Sequence, residues 1–277
     1  MKKIKIVDNS FAHCKYSNNP LPPTSLSKYI EWDRKVSDVE ELVFYTDNNI
    51  LNPIEGHHKK IAWLLEPYVK QPNIYEWILQ NNKLYDYVLT NEKKLLDRGE
   101  NFVFFPFGGC WIDKKDRKIE HEKTKLVSIV SSAKKGVPDH FKRHEIISKY
   151  SNIIDVMGRG YKPLDKIVDG LKEYMFNFAL ENQSRDFHFS EKIINPIMVG
   201  TVPIYYGCES INKYFDTRGM LIFKEVSDVQ DILKEIGLKM YSGMLPYIKE
   251  NFKIAQQYIL SEDWMYENKV LKRLGVV

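Results

Sequence analysis

The stretch YMFNFALENQSRDFHFSEKIINPIMVGTVPIYYG, Tyr174–Gly207, decides how the chain folds. Phe176–Leu180 is a short apolar run of the kind buried on both faces of a sheet. The polar run ENQSRD follows, and then Ser190, which is a good helix N-cap because its hydroxyl can accept a free backbone N–H. A helical pattern opens with Glu191 and Lys192, and a second apolar run, TVPIYYG, ends on glycine. Strand, helix and strand in this order make two parallel neighbours joined by a crossover.

The same alternation extends outward in both directions. Strand candidates are 4–7, 42–45, 60–65, 87–89, 102–105, 126–130, 153–156, 176–180, 202–205 and 220–223. Helical patterns lie between them, among them NIYEWILQNN, PDHFKRHEIISKY, PLDKIVDGLKEY and SEKIINPIMVG. This predicts an α/β protein with parallel sheets covered by helices. The run GGCWIDKKDRKIEHEKTK, with two glycines and solvated charges, separates two βα series. The expected division is a first lobe over 1–120, a second over 121–255 and a helical tail over 256–277 able to return to the first lobe. After Ser227 the pattern is helical, with breaks expected at Gly237 and Gly243. The proline-rich run NNPLPPTSLS after the first strand reads as a loop.

Bulk properties narrow the function. A chain of 277 residues with 43% hydrophobic and 28% charged residues is an ordinary globular composition with room for two lobes. A net charge of +4 does not mark a nucleic-acid binder. Cys14, Cys110 and Cys208 lie far apart, which argues against a zinc site or disulfide framework and fits a reducing compartment. No stretch approaches the roughly 18 apolar residues of a membrane span, so a cytoplasmic location is expected. In a viral source that would be the host cytoplasm. Neither a P-loop nor a dinucleotide fingerprint is present.

The chemistry concentrates in the opening stretch. Ligands of open parallel sheets bind beyond the carboxyl ends of the strands, where ENQSRDFHF lies. Lys192 in a first helical turn opposes the helix dipole, and a bound phosphate would give it a reason. Glu191 can accept hydrogen bonds from ribose hydroxyls. Read locally, the pair is equally an exposed ion pair worth at most about 1 kcal/mol.

The whole stretch resembles the C-terminal signature of the α-1,3-fucosyltransferases, glycosyltransferase family ten. Tyr174, Phe176, Glu181, Asn182, Glu191, Lys192, Gly200, Thr201, Pro203 and Gly207 match that signature in order. NKYF at 212–215 and DVMGRG at 155–160, with Gly158, have counterparts as well. The resemblance covers 125–223 well and the first lobe only loosely. It implies two Rossmann-like lobes of the GT-B type, a nucleotide-sugar donor (GDP-fucose by default) and an inverting transfer. There is no Asp-x-Asp metal motif, so no metal ligands are assigned, although a divalent cation is left open. Lys192 and an upstream arginine would hold the diphosphate and Glu191 the ribose. Arg143 is the expected arginine, although Lys134, Lys135 and Lys142 make an ordinary exposed basic face the alternative. Asn182, Ser190, Ser131, Ser132 and Gly158 complete the expected donor site. His188 stands where the family has tyrosine, and Arg185 and Asp186 have no counterpart, so the donor sugar is the least determined element.

The resemblance also implies a carboxylate base on the first lobe. Glu66, after the strand-like 61–65 and before Pro67, is the candidate, with capping of the next helix as the alternative. Its rivals are Asp8 and Asp47. Asp8, Asn9, Ser10 and His13 form a polar cluster suited to an acceptor. His57 and His58 lack partners at metal spacing and are expected at the surface. The expected activity is sugar transfer to an acceptor hydroxyl, on a glycan or, in a phage-type setting, on a hydroxylated DNA base. A non-catalytic nucleotide-sugar-binding module is the reading from another class.

Overall fold

The computed structural model describes residues 1–35, 41–137 and 139–276. The chain divides into two compact units. One comprises Met1–Gly109, Asp186–His188 and Tyr258–Val277, and the other Cys110–Arg185 and Phe189–Gln257.

The first unit holds β1 (Lys2–Val7), β2 (Ile30–Asp33), β3 (Leu42–Thr46), β4 (Lys59–Trp63), β5 (Tyr87–Thr90) and β6 (Phe102–Phe104), with helices α1 (Pro72–Asn81) and α2 (Lys93–Leu96). The second holds β7 (Lys125–Val130), α3 (Asp139–Tyr150), β8 (Asp155–Met157), β9 (Tyr174–Leu180), α4 (Glu191–Ile197), β10 (Val202–Tyr206), β11 (Leu221–Ile222), α5 (Val229–Glu235) and α6 (Leu238–Ala255). Helices α7 (Ser261–Glu267) and α8 (Val270–Arg273) close the chain and belong to the first unit. The strand orders are β2-β1-β3-β4-β5-β6 and β11-β10-β9-β7-β8, and every pairing is parallel.

Burial explains the apolar runs. All five residues of β3 and all five of β10 are buried, because these strands are covered on both faces. In the first unit alternate side chains feed two cores. Val43, Tyr45, Ala62, Leu64 and Val88 pack against Ile74, Tyr75 and Ile78 of α1. Ile4, Ile6, Phe44, Ile61 and Trp63 pack in one core with Met265, Val270 and Leu271 of α7 and α8. The last residues of the chain therefore cover a face whose strands were made first.

Two expectations are corrected and one strand was not foreseen. PLDKIVDGLKEY is not a helix: it forms one 3-10 turn, Ile167–Gly170, before β9 begins at Tyr174. Ser128 Oγ donates to the Gly170 carbonyl at 2.7 Å, and a Cβ on Gly170 would strike Val130 and Leu164, so the turn is held against the sheet too closely for a helix with side chains all round. Gly243 lies inside α6, facing open space, whereas Gly237 does precede that helix. The edge strand β2 has no apolar run to announce it, because only Ile30 and Trp32 point inward.

Glu262 of α7 is fully buried and accepts from Ser17 N at 2.7 Å, Ser17 Oγ at 3.1 Å and Trp32 Nε1 at 3.1 Å. Burial pushes its carboxyl up to about 7, against donors that favour ionisation. A carboxyl whose folded pKa exceeds its ordinary 4.5 stabilises the fold fully below that value and loses the contribution as pH rises through about 7. Glu262→Gln should therefore melt higher than the parent at about pH 8 and show a shallower loss of stability from about pH 5. Identical pH slopes in thermal melts of the two proteins would refute this account.

Candidate functional site

Chain order in the second sheet reverses between β7 and β9, since β8 lies on one side and β10 and β11 on the other. Open α/β sheets bind ligands outside the carboxyl ends of strands at such a point. The loops there are 131–137, after β7, and 181–190, after β9.

Glu181 organises the second loop. Its side chain is excluded from water and accepts from Ser190 N at 2.8 Å and Ser190 Oγ at 2.7 Å. Ser190 is the N-cap of α4 and its hydroxyl also accepts from Lys192 N at 3.4 Å. Lys192 Nζ lies 3.1 Å from Ser190 Oγ, 3.0 Å from Glu191 Oε1 and 3.7 Å from Glu181 Oε2, with its side chain 26% exposed. Burial works against the ammonium, but the Glu191 and Glu181 carboxylates outweigh it and hold Lys192 above the ordinary lysine value, with Arg143 opposing. One cation serves two carboxylates here, and burial drives Glu181 upward despite Lys192.

Arg143 approaches from α3. It is buried, its Nη2 makes one long contact of 3.4 Å to the Lys134 carbonyl, and its Nε has no hydrogen-bond partner among the described residues. Burial lowers its pKa, which is the mark of a guanidinium short of counter-charge. The same helix face grips the 131–137 loop. His144 Nε2 meets the Lys134 carbonyl at 2.9 Å, and the Gly136 N–H reaches His140 Nδ1 at 3.1 Å. Ser131 is buried and its hydroxyl donates to the Ser132 carbonyl at 3.2 Å. Gly158, at φ 108°, lies against Ser131, whose carbonyl oxygen a Cβ would strike, so this glycine shapes the loop by close approach.

The first unit holds the other candidates. Asp8, after β1, is saturated: Oδ1 accepts from Ser10 N, Phe11 N and Thr46 Oγ1, and Oδ2 pairs with Arg34 at 2.9 Å. Asn9 and His13 are exposed and Ser10 half-buried. Glu66 follows β4 by three residues, is about a third exposed, and pairs with Lys70 at 2.6 Å. Asp47, after β3, is buried at a left-handed φ of 49° and accepts from Gln71 Nε2 at 2.9 Å. Burial pushes the Asp47 carboxyl up, opposed by Gln71 and Ser10 and reinforced by Glu66 and Asp8. His58 is not at the surface as expected: it is buried, with Nε2 2.9 Å from the Tyr45 hydroxyl, while His57 is exposed. His188 is buried in the first unit, its ring 5.6 Å from that of Phe107. Arg185 is buried as the last residue of its segment of the second unit.

The roles of Glu181, His140 and Lys123 escape a reading of the sequence. Glu181 matches the signature, but only its fully buried contacts reveal its role. His140 has no local signal, because a lone histidine in a helix is unremarkable until its neighbours are known. Lys123, in a segment expected to be solvated, donates to Lys172 O, Val199 O and Thr201 Oγ1, and burial lowers it to about 7. Among the described residues no group of three or more His, Cys, Asp or Glu could hold a metal ion, and no helix is long and apolar enough to cross a membrane.

Residues 120–241 match the family model described as Glycosyltransferase family 10 (fucosyltransferase) C-term. The chain is 27% identical over 117 residues to α-(1,3)-fucosyltransferase B of Drosophila melanogaster, covering 42% of this chain and 25% of that protein. It is 20% identical over 219 residues to a protein of Acanthamoeba polyphaga mimivirus that is provisionally named a fucosyltransferase, covering 70% of this chain and 36% of the other. It thus spans about a third or less of these relatives. A solved α1,3-fucosyltransferase with GDP superposes with a TM-score of 0.58 at 18% identity, covering 98% of this chain and 91% of that one. The same kind of enzyme with GDP-fucose gives 0.58 at 18% identity, covering 93% and 88%. TarM gives 0.55 at 11% identity over 85% of this chain and 54% of that one. The fold is that of two Rossmann-like lobes of the GT-B type.

The contact of Gly158 with Ser131 can be measured. Gly158→Ala should cost about 1–3 kcal/mol of stability, because a side chain is strained at this φ and collides with backbone. An unchanged urea midpoint would show that the 158–160 turn does not press on the 131–137 loop.

Proposed function

We propose that this chain, whose second unit carries a glycosyltransferase family 10 C-terminal region, is an inverting transferase using GDP-fucose on a glycan hydroxyl. One observation carries the reading. A buried, under-partnered guanidinium, Arg143, lies within electrostatic reach of Lys192 at the switch point of the second sheet. Two cations converging there suit a diphosphate, and the charge on it grows as the sugar departs. Glu191 accepts from ribose hydroxyls, and Asn182, Ser131 and Ser132 supply further polar contacts to the donor. The match over 120–241 and the GDP and GDP-fucose named for the similar solved enzymes support the same ligand class.

Glu66 serves as the general base: it takes the proton of the acceptor hydroxyl as that oxygen bonds to the anomeric carbon and the nucleoside diphosphate leaves. Asp8, Asn9, Ser10 and His13 are assigned to the acceptor in this reading.

Thermal shift against GDP, UDP, CDP and ADP should show selective stabilisation by GDP. Equal or absent shifts would count against the donor. Lys192→Ala and Arg143→Ala should each weaken GDP by at least about tenfold in calorimetry, because each removes a charged partner of the phosphates. Glu66→Gln should leave GDP binding intact and slow turnover by about 100-fold or more. Retained turnover would move the base to another carboxylate, Asp47 first.

A further inference from the structure

His140 and Asn182 form the end of a directional chain of hydrogen bonds. The Gly136 backbone N–H lies 3.1 Å from His140 Nδ1, and His140 Nε2 lies 3.0 Å from Asn182 Oδ1. A backbone N–H can only donate, so Nδ1 is the acceptor and the ring proton sits on Nε2. That proton requires an acceptor, which selects the oxygen of the Asn182 carboxamide rather than its nitrogen. The orientation of the amide is thus dictated from Gly136. Asn182 Nδ2 makes no hydrogen bond among the described residues, and Asn182 itself is half-buried directly after Glu181. His140 is 8% exposed, while Gly136 is exposed and Asn182 half-buried, so the ring is the most sheltered member of the chain.

We propose that His140 is a positioning residue for the nucleotide-sugar donor, acting through Asn182. It turns the Asn182 carboxamide so that both N–H bonds are offered to acceptor oxygens of the nucleoside diphosphate part of the donor, on phosphate or ribose. Through Gly136 the same ring ties this orientation to the 131–137 loop, which Arg143 and His144 also grip through the Lys134 carbonyl. Donor oxygens thereby meet two cations and a fixed pair of N–H groups rather than a freely rotating amide. The inference rests on the donor site proposed above and adds to it a residue that never touches the ligand.

The test is a double-mutant cycle read by calorimetry with GDP. Asparagine places its oxygen near the position of Nδ1 and glutamine its nitrogen near that of Nε2. His140→Asn therefore keeps the Gly136 contact and loses the one to Asn182, while His140→Gln does the reverse. His140→Asn should weaken GDP about five- to tenfold, the worth of one lost hydrogen bond, and His140→Gln should recover most of it. Asn182→Ala should weaken GDP similarly, and His140→Asn should add nothing in the Asn182→Ala background. Additive losses would reduce His140 to a support of the loop and overturn the proposal. So would full GDP affinity in Asn182→Ala, which needs no histidine variant to fold. Parent protein that binds no nucleoside diphosphate would instead overturn the donor site itself, and this inference with it.

Discussion

A carboxylate with no access to water, Glu181, sets the geometry of the second unit's working edge. It ends β9, takes both the backbone N–H and the hydroxyl of Ser190, and so fixes where α4 starts. Lys192 then has one place to go, between Glu181 and Glu191. The residue after β10 is glycine, because a Cβ on Gly207 would collide with the Glu181 side chain. An isolated buried charge is costly, and Ser190 and Lys192 offset that cost together. Changing any one of these residues leaves the others unpaired or displaced, so Glu181, Ser190, Lys192 and Gly207 behave as one unit.

The basic side of the site follows different physics. Arg143 is buried with one long contact, the feature on which the proposed anion site rests, while Lys192 is shared between two carboxylates. Residues 140, 143 and 144 lie on adjacent turns of one helix face and hold the 134–136 backbone. The loop is therefore shaped by side chains that come after it in sequence, and by Gly158 pressing on Ser131 from β8.

In the first unit the controlling constraint is a sheet with two apolar faces. Helix α1 supplies one cover, and α7 and α8 supply the other. Glu262 sits at the seam between α7 and the loop after β1, held by Ser17 and Trp32. At the carboxyl ends of the same strands, Asp8 is saturated by donors, Asp47 is buried and raised, and Glu66 is the most open of the three.

Most strands were legible because a strand buried on both faces is apolar along most of its length, as β10 is throughout and as β3 and β9 are apart from Thr46 and Asn177. Glu181, Lys192 and Gly207 were legible because they fall at the spacings of the signature that the stretch resembles, and the structure packs Lys192 and Gly207 against Glu181. Where packing overrode local pattern, the sequence misled. Ile167–Gly170 has helical periodicity but is pulled onto the sheet by Ser128, and Ile30–Asp33 is an edge strand with too few apolar residues to stand out. His58 reads as a surface residue and is buried because the Tyr45 hydroxyl meets its ring. By itself the sequence determined the parallel α/β architecture and the residues of the donor-type signature, since both depend on short-range order along the chain. Only the tertiary structure decided that α7 and α8 complete the first core, that Asp186–His188 belongs to the first unit, and that His140 faces Asn182. Those outcomes depend on contacts between residues far apart in sequence, which no local spacing encodes.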